Sequence, residues 1–411
     1  MKEKLLCLLA LAAVFCIPVA QAQSSVAVYG ILDVGYAGGT STVNNSSTGT
    51  TKTNSSAIAS SPEQSSRLGF KGTEDLGGGR QAVFTTEFGL YPTDQSLSGN
   101  TNAGVFNRQT FVGIKQNGVG QATAGLQYTP VFTAYSVTNA GQTNNMVGDV
   151  IHPYATAISA PLSGTTLLGM TDRVANSFVL QSESFNGFRT MGMLTANSKT
   201  VNGSDTTANG WGLGADYTWN KLYVTLATQQ LKQLTTATNG SAAASVMWTM
   251  PQANGVTAAP VSGNGTTLAS QGVNVQDNQT YAGATYDFGI LKAYAGYITR
   301  KATSTADSAD SIKRRATQIG VRGFITPVIE GWASAGVGRY TAGDSIANST
   351  AAIPTANFSG FQLGTNYWLS KRTNLYAIYG QTQTSSGKAS TSGATTSGSA
   401  NNYAVGMRHT F

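Results

Sequence analysis

Basic and apolar side chains alternate along a short segment near the start of the chain. Within residues 66–72, Arg67 and Lys71 share one face, while Leu68 and Phe70 occupy the other. A period of two is that of a β-strand, whose successive side chains point to opposite faces. Rings of Arg or Lys that face water inside a pore favour anions. The segment therefore predicts a strand with a row of fixed positive charge on its wet face.

Three further charged residues need to be oriented. Arg173 lies on the face opposite Phe178 and Leu180, so the pattern points it to the same wet side. Arg108 lies in a segment with apolar residues on both faces, and the pattern alone does not orient it. Glu87 alternates with phenylalanines and is the candidate counter-charge. A charged side chain that faces lipid costs about 2–4 kcal/mol, so an inward position alone does not prove a role in ion selection.

The residues that most often carry catalysis or bind metals are sparse. The two histidines, His152 and His409, do not have the spacing of a metal site. Asp149 precedes His152 by three residues, an arrangement that serves either acid–base chemistry or an ordinary polar contact. The glycines at 77–79 lack the Lys-Ser/Thr of a phosphate-binding loop. We therefore expect neither an enzyme nor a bound metal or cofactor.

The last stretch of the chain, residues 401–411, alternates over its whole length. One face carries Tyr403, Val405, Met407, His409 and Phe411, and the other carries small or polar residues. A tilted transmembrane strand needs about 9–11 residues. Because no strand edge can stay unpaired in lipid, we expect this strand to close a barrel by pairing with the first predicted strand, residues 25–36.

Residues 1–22 have the composition of a secretory leader, with a basic start, an apolar run and a small-residue cleavage signal at 20–22. Both cysteines lie in this leader, so the remainder, residues 23–411, is expected to form one domain without disulfides. Only 10% of the residues are charged, and the net charge is +7. This mild basic bias lacks the clusters of Lys and Arg that indicate nucleic-acid binding.

Short turns and long polar stretches alternate along the chain. We count about sixteen strands, seven short turns and eight long loops, with residues 37–61 and 197–209 among the loops. No stretch after the leader approaches the roughly 20 apolar residues of a transmembrane helix. An even number of strands with this asymmetry is typical of a bacterial barrel. A soluble β-sandwich or a fibrous adhesin also alternates, but it would need more large aliphatic core residues.

Six segments carry a family resemblance: 24–33, 66–79, 107–113, 173–177, 369–373 and 405–411. The most specific is 66–79, which reads Ser-Arg-Leu-Gly-Phe-Lys-Gly-Thr-Glu-Asp-Leu-Gly-Gly-Gly. The chain resembles the general trimeric porins of the Burkholderia–Neisseria type from residue 24 to its end. The resemblance implies an all-β, sixteen-stranded transmembrane barrel with short periplasmic turns, long extracellular loops and one loop folded into the pore.

The resemblance also implies a setting and partners. It implies a homotrimer in the Gram-negative outer membrane, in contact with lipid and lipopolysaccharide. The function it implies is passive diffusion of small hydrophilic solutes and ions through a water-filled pore. Residues 129–171 correspond to the loop that enters the barrel, although an ordinary external loop is the alternative. Phe411 corresponds to the terminal assembly signal.

The expected pore site combines the residues above. The resemblance places Arg67, Arg108 and Arg173 on the wall opposite the loop, and Lys71 extends the row. The loop supplies Asp149, with Asp172 at its end, and it lacks the acidic, aromatic-rich tip of many relatives. With Glu87 as a further counter-charge, we expect a weak to moderate preference for anions. Two other functions stay open: a substrate-specific channel and a barrel-anchored surface adhesin.

Overall fold

The computed structural model describes residues 25–45, 49–94, 106–153, 169–201, 204–236, 275–305, 308, 311–342, 355–388 and 395–411. The expected leader, residues 1–22, lies outside this set. Nearly all described residues form β-strands. No helix in the described ranges has the length and apolar character needed to cross a membrane.

The strands follow one another along the chain with a single helix between the sixth and the seventh. They are β1 (Ser25–Asn45), β2 (Gly49–Ser60), β3 (Arg67–Gly77), β4 (Arg80–Gly89), β5 (Asn107–Gln116), β6 (Gly120–Tyr128), β7 (Arg173–Ser182), β8 (Phe188–Val201) and β9 (Ser204–Trp219). They continue with β10 (Leu222–Thr236), β11 (Val275–Asp287), β12 (Lys292–Ser304), β13 (Ser311–Phe324), β14 (Ile329–Ala342), β15 (Thr355–Trp368), β16 (Thr373–Lys388) and β17 (Thr395–Thr410). The helix is α1 (Pro130–Val137).

Sixteen of these strands close into an antiparallel barrel. Neighbours pair in chain order from β3 to β17, and β1 completes the ring by pairing with β3 and β17. Strand β2 lies outside the ring, and in the described part of the chain it pairs with β1. At the seam, the Gly30 amide donates to the Phe411 carbonyl at 3.0 Å, and the Phe411 amide donates back at 3.1 Å. The expected barrel, closed by the last strand, is confirmed.

The outer face of the barrel is apolar and the inner face is polar. Leu226 and Ile319 point outward and are 58% and 64% exposed, whereas Gln318 and Gln362 point inward and are 6% and 0% exposed. A soluble sheet buries its apolar face and leaves its polar face in water. The reversed pattern requires a solvent of lipid around the barrel, as in transmembrane β-barrels.

Two expected loops are instead paired strands. Residues 37–61 continue β1 to Asn45 and return as β2, and residues 197–209 extend the hairpin of β8 and β9. Their Ser, Thr and Asn residues suggested loops because they are polar and of low complexity. Thr has a high strand propensity, however, and cross-strand contacts such as Thr40 Oγ1 donating to Asn54 Oδ1 at 2.8 Å stabilise the extended hairpin.

Candidate functional site

The segment that follows β6 turns into the barrel through helix α1. The Thr129 hydroxyl oxygen caps this helix by accepting from the Phe132 amide at 3.2 Å, and Pro130 begins it, where a missing amide hydrogen costs nothing. The same hydroxyl donates to the Thr171 carbonyl at 2.7 Å. Both ends of the segment are therefore tied together at the barrel wall, as expected for a loop that folds into the pore.

Glutamine side chains of the inner wall hold the backbone of this loop. The Val150 amide donates to Gln318 Oε1 at 2.8 Å, and Gln362 Nε2 donates to the carbonyls of Met146 and Val147 at 2.8 and 3.0 Å. All of these residues are buried. Leaving such a group without a partner costs about 1–3 kcal/mol, so the glutamines specify where the loop lies.

Two arginines of the same wall add charge-assisted hydrogen bonds. Arg314 Nη2 donates to the Val150 carbonyl, and Arg322 Nη1 donates to the Ala140 carbonyl at 3.0 Å. Glu330 contacts Arg322 Nε and Nη2 at 2.6 and 2.7 Å. These cations hold the loop against β13, so they add little free charge to the water-filled space.

Asp149 lies inside the loop and does not line the cavity beside the arginines. Its carboxylate accepts from the Tyr135 hydroxyl and from the amides of Ile151 and His152, each at 2.8 Å, and from Gln318 Nε2 at 3.2 Å. Burial, with the neighbouring Asp149 carboxylate, raises the pKa of Tyr135 well above its usual value, so its hydroxyl remains a donor. Asp149, predicted from the sequence as a pore charge, thus contacts groups of the loop itself and the wall behind it.

Arg67 and Lys71 extend from the inner face of β3. Phe70, on the other face, pairs with Val28, which is 56% exposed on the outside of the barrel. Lys71 is exposed to the lumen, and its Nζ lies 5.4 Å from the centre of the Tyr29 ring. The predicted inward orientation of the two cations on β3 agrees with this placement.

Arg108 reaches the same wall because β5 contains a β-bulge. Glu87 of β4 pairs with Gln109, whereas Phe88 pairs with Asn107, so Arg108 is an extra residue between the two pairs. Bulges of this kind turn a side chain away from the face that strict alternation would give it. The bulge explains why the sequence pattern could not orient Arg108.

Glu87 is the counter-charge of this wall. Its Oε1 lies 2.7 Å from Arg108 Nε, and its Oε2 accepts from the Tyr29 hydroxyl at 3.2 Å. Arg108 Nη2 also donates to the Tyr128 hydroxyl at 3.1 Å. The guanidinium is therefore held from two sides, and one of them carries a negative charge that partly offsets it.

Arg173 begins β7 directly after the loop and pairs with Tyr128 of β6. Its guanidinium carbon lies 5.8 Å from the centres of both the Phe106 and the Tyr128 rings. A cation above an aromatic ring gains about 0.5–1 kcal/mol at an exposed site. The rings thus fix the direction of the cation beside the end of the loop.

A polar cavity of about 510 Å³ lies between the arginine wall and the loop. Arg67, Arg108 and Arg173 line it on the wall side. The loop side is lined by Thr133, Ser136, Gln142, Thr143 and Asn145. Among the described residues that line the cavity, Asp172 is the one carboxylate, and it lies 2.8 Å from His152 Nε2. The structure therefore brings the three predicted arginines together around one cavity, whose described lining carries more basic than acidic groups.

His152 is a titratable group at the edge of this cavity. Its ring stacks on Tyr135 with centres 5.3 Å apart. Burial by itself lowers the pKa of the His152 imidazole, but the carboxylates of Asp172 and Asp149 together outweigh it, and the pKa lies above the ordinary histidine value. The imidazole contacts Asp172, whereas Asp149 contacts the backbone amide of His152. Asp149 and His152 are therefore joined by an ordinary polar contact through the backbone, and the carboxylate on the imidazole is that of Asp172.

Residues 61–66, between β2 and β3, form a second inward element that the sequence analysis missed. The Asp33 carboxylate accepts from the amides of Glu63 and Gln64 at 2.7 and 2.6 Å. Asn145 of the loop donates from its Nδ2 to the Ser61 carbonyl at 2.6 Å. This element also lines the cavity and links the wall to the loop. The signal that could have revealed it is the proline after Ser61, because proline interrupts a strand ladder.

Metal binding has no support in the described ranges, where no three His, Cys, Asp or Glu side chains come together as a metal site requires. The arrangement consists of guanidinium groups, hydroxyls and amides around an open polar space. Such groups can attract and pass hydrated anions without forming or breaking bonds.

Comparison with known proteins agrees with the fold. The model of a family described as Gram-negative porin matches residues 8–388. An outer membrane porin protein of Bordetella pertussis is 28% identical over 406 residues, covering 87% of this chain and 89% of that protein. The major outer membrane protein P.IB of Neisseria gonorrhoeae is 40% identical over 86 residues, so the chain matches 23% of that relative's length.

Among solved structures, the anion-selective porin from Comamonas acidovorans superimposes with a TM-score of 0.63 at 21% identity. The superposition covers 95% of this chain and 100% of that one. At this identity the likeness supports the fold, and the family match rests on the sequence. The inside-out barrel, the loop held in its lumen and the match over residues 8–388 together establish that the chain belongs to the Gram-negative porin family of the outer membrane.

Proposed function

We propose that this porin forms a water-filled channel for passive diffusion of small hydrophilic solutes and ions, with a weak to moderate preference for anions. The observation that carries the proposal is the constriction lined by Arg67, Arg108 and Arg173, in which the one described carboxylate, Asp172, contacts His152. An anion that passes this point meets guanidinium groups on one side and hydroxyls or amides on the other.

The proposed roles of the charged residues differ. Arg67 and Arg173 supply positive charge to the constriction, and Lys71 extends that charge along the inner face of β3. Glu87 keeps the preference modest because it contacts Arg108 at 2.7 Å. We assign Asp149 to the loop's framework and not to ion selection, since its carboxylate accepts five hydrogen bonds there.

Reversal potentials in planar bilayers under a salt gradient test the proposal. Arg67→Ala and Arg173→Ala should each lower the ratio of anion to cation permeability. Arg80→Ala is the matched control, because Arg80 is exposed at a short turn outside the constriction and its removal should leave the ratio unchanged. Clear cation selectivity of the wild-type channel, or unchanged ratios in both constriction variants, would overturn the proposed selectivity.

The family resemblance supports three further assignments. Residues 1–22 act as a signal peptide, residues 129–171 act as the constricting loop, and three copies of the chain form a homotrimer. Electrophoresis of unheated and heated samples separates trimer from monomer. A mature protein that begins elsewhere than residue 23, by N-terminal sequencing, would contradict the signal-peptide assignment.

A substrate-specific channel is the second candidate, because aromatic rings accompany the arginines. Tyr128 stacks on Phe132 with ring centres 4.8 Å apart, and Tyr91 lines the same cavity. Liposome swelling with uncharged sugars of graded size separates the two functions. A smooth decline of rate with size supports general diffusion, whereas saturation by one solute supports a specific channel.

A further inference from the structure

A cluster of four cations lies on the outside of the barrel, where the strands leave the apolar band. Lys301 of β12, Lys313 and Arg315 of β13 and Arg339 of β14 are all exposed. From Lys313 to Ile319 of β13, exposed and buried residues alternate, and Arg314 between two of these cations is 3% exposed and points to the loop inside. The four cations therefore point away from the lumen.

The register brings these cations into direct opposition. Lys301 pairs with Lys313, and Arg315 pairs with Arg339. Side chains opposite one another on neighbouring strands lie about 4.5–5.5 Å apart at Cβ, and like charges there are destabilising. In the described part of the chain, none of the ion pairs includes any of these four residues. The cluster is therefore suited to an anion from outside the chain.

The position of the cluster indicates where that anion comes from. On the same outer face, two residues from Arg315 and Arg339 toward the middle of the barrel wall, lie Tyr297 and Val337, which are 41% and 63% exposed. Ile319 lies further in the same direction. Tyr at this height is typical of the interface between hydrocarbon and headgroups. At 3.3–3.4 Å per residue, Arg315 and Arg339 lie about 7 Å further along the strands, and Lys301 and Lys313 lie about 13 Å further, at headgroup level and just above it.

This end of the barrel faces outward from the cell. Its strands are joined by the longer connections, such as 237–274 and 343–354, whereas the other end has tight turns such as the one at 220–221. In bacterial barrels the short turns are periplasmic and the long loops extracellular. The cluster thus lies at the headgroups of the outer leaflet.

A groove of about 810 Å³, lined by both polar and apolar residues, lies beside the cluster on the same outer surface. Arg315 and Arg339 line it together with Asn357, Ser385 and Ser397, and Tyr297 also lines it. Guanidinium groups match phosphate oxygens, while hydroxyls and amides match the hydroxyls of sugars. The groove therefore offers both kinds of contact in one place.

We propose that Lys301, Lys313, Arg315 and Arg339, with the adjacent groove, bind the phosphorylated glycolipid headgroup of the outer leaflet. Phosphate neutralises the opposed cations, and the acyl chains of the same molecule continue down the apolar face past Val337. The inference rests on the placement of the barrel in the outer membrane, and it is independent of the ion preference of the pore.

The test titrates purified lipopolysaccharide into the protein in neutral detergent and follows binding by native mass spectrometry. Arg315→Gln/Arg339→Gln should bind roughly thirtyfold more weakly than wild type, given about 1 kcal/mol for each cation near an anionic surface. Arg315→Lys/Arg339→Lys keeps the charge and should retain most of the affinity. Lys52→Gln/Lys232→Gln, which removes two cations elsewhere on the rim, is the matched control and should bind as wild type.

Two further arms identify the anion. Glycolipid stripped of its phosphates should bind wild type and the Gln variant equally, and millimolar inorganic phosphate should displace lipopolysaccharide only weakly. Strong displacement by free phosphate would identify a soluble-anion site and overturn the lipid assignment. Asp307→Asn/Asp310→Asn removes the acidic residues of the adjoining loop, which lie outside the described residues, and should leave binding intact or strengthen it; loss of binding there would also overturn the proposal.

Thermal unfolding gives an independent readout, because the difference in stability between wild type and the Gln variant should change sign when lipopolysaccharide is added. Without lipopolysaccharide, the Gln variant should be at least as stable as wild type, because opposed cations have been removed; with lipopolysaccharide, wild type should be the more stable. Equal lipopolysaccharide affinity of wild type and Gln variant, or loss of the trimer in the Gln variant, would refute the proposal. Ion selectivity in neutral bilayers should be the same in both proteins, so a refutation here leaves the porin function standing.

Discussion

Neutralising Glu87 should strengthen the preference for anions, although Glu87 does not itself line the constriction. Glu87→Gln keeps the shape of the side chain and removes the negative charge that lies 2.7 Å from Arg108 Nε. Arg108 should stay in place, because its Nη2 donates to the Tyr128 hydroxyl at 3.1 Å and an amide oxygen can still accept from Nε. The variant therefore changes the charge at the constriction with little change in its geometry.

The size of the effect follows from Coulomb's law. A unit charge about 6 Å from a passing monovalent ion contributes about 0.7 kcal/mol at the dielectric constant of water. Screening over a Debye length of about 10 Å in 0.1 M salt lowers this to about 0.4 kcal/mol. Removal of the carboxylate favours anions and disfavours cations by this amount each, so the permeability ratio should rise roughly fourfold.

The assay is the reversal potential in a planar bilayer under a tenfold gradient of potassium chloride. The matched control is Glu183→Gln, which removes a half-buried carboxylate 3.4 Å from Lys115 at a short turn and should leave the ratio unchanged. A ratio for Glu87→Gln that equals wild type, or that moves toward cations, would refute the reasoning. An equal rise in the control would mean that general surface charge, and not the constriction, sets the preference.

Three further predictions concern the loop and the seam. Arg314→Met removes the guanidinium that binds loop carbonyls, so single-channel recordings should show more frequent current fluctuations. A current as quiet as that of wild type would contradict the role of Arg314 in holding the loop. The pKa of His152 is raised, so its ion pair with Asp172 stabilises the loop below the ordinary histidine pKa, and that stability is lost as pH rises through the folded value; recordings across this range should show more closures at high pH, and His152→Asn should abolish the dependence. Deleting Phe411 leaves the Gly30 amide and carbonyl unpaired at the seam, which should reduce the yield of trimer in the outer membrane; normal yield would count against a role in assembly.

The strand count and the inside-out pattern could be predicted from the sequence because both depend on a period of two. Each outward residue such as Ile319 needs lipid, and each inward residue such as Gln318 needs a polar partner, so the alternation is visible without any tertiary contact. The ends of the strands could not be predicted in the same way. Above the membrane, Ser and Thr no longer alternate with apolar residues, and the paired hairpin of β1 and β2 resembles a loop.

The interior of the loop depends on contacts between residues that are far apart in sequence. Asp149 belongs to the framework because Gln318, 169 positions away, donates to it. No local pattern contains that information. The start of helix α1 does have a local signal, since the Thr129-Pro130 pair is a usual start of a helix. Its eight residues, however, are too few to show a helical period.

Arg108 shows how a local irregularity can determine a functional wall. Counting outward from Val112, which is 61% exposed, strict alternation would direct Arg108 to the lipid. A guanidinium there would cost about 2–4 kcal/mol at the bilayer midplane. The extra residue in β5 removes that cost and brings Arg108 to Glu87 and Tyr128 in a single step. The bulge is therefore as much a part of the constriction as the arginine itself. Deleting Asn107, so that Arg108 pairs regularly with Phe88, should move Arg108 to the outer face and weaken both assembly and anion preference.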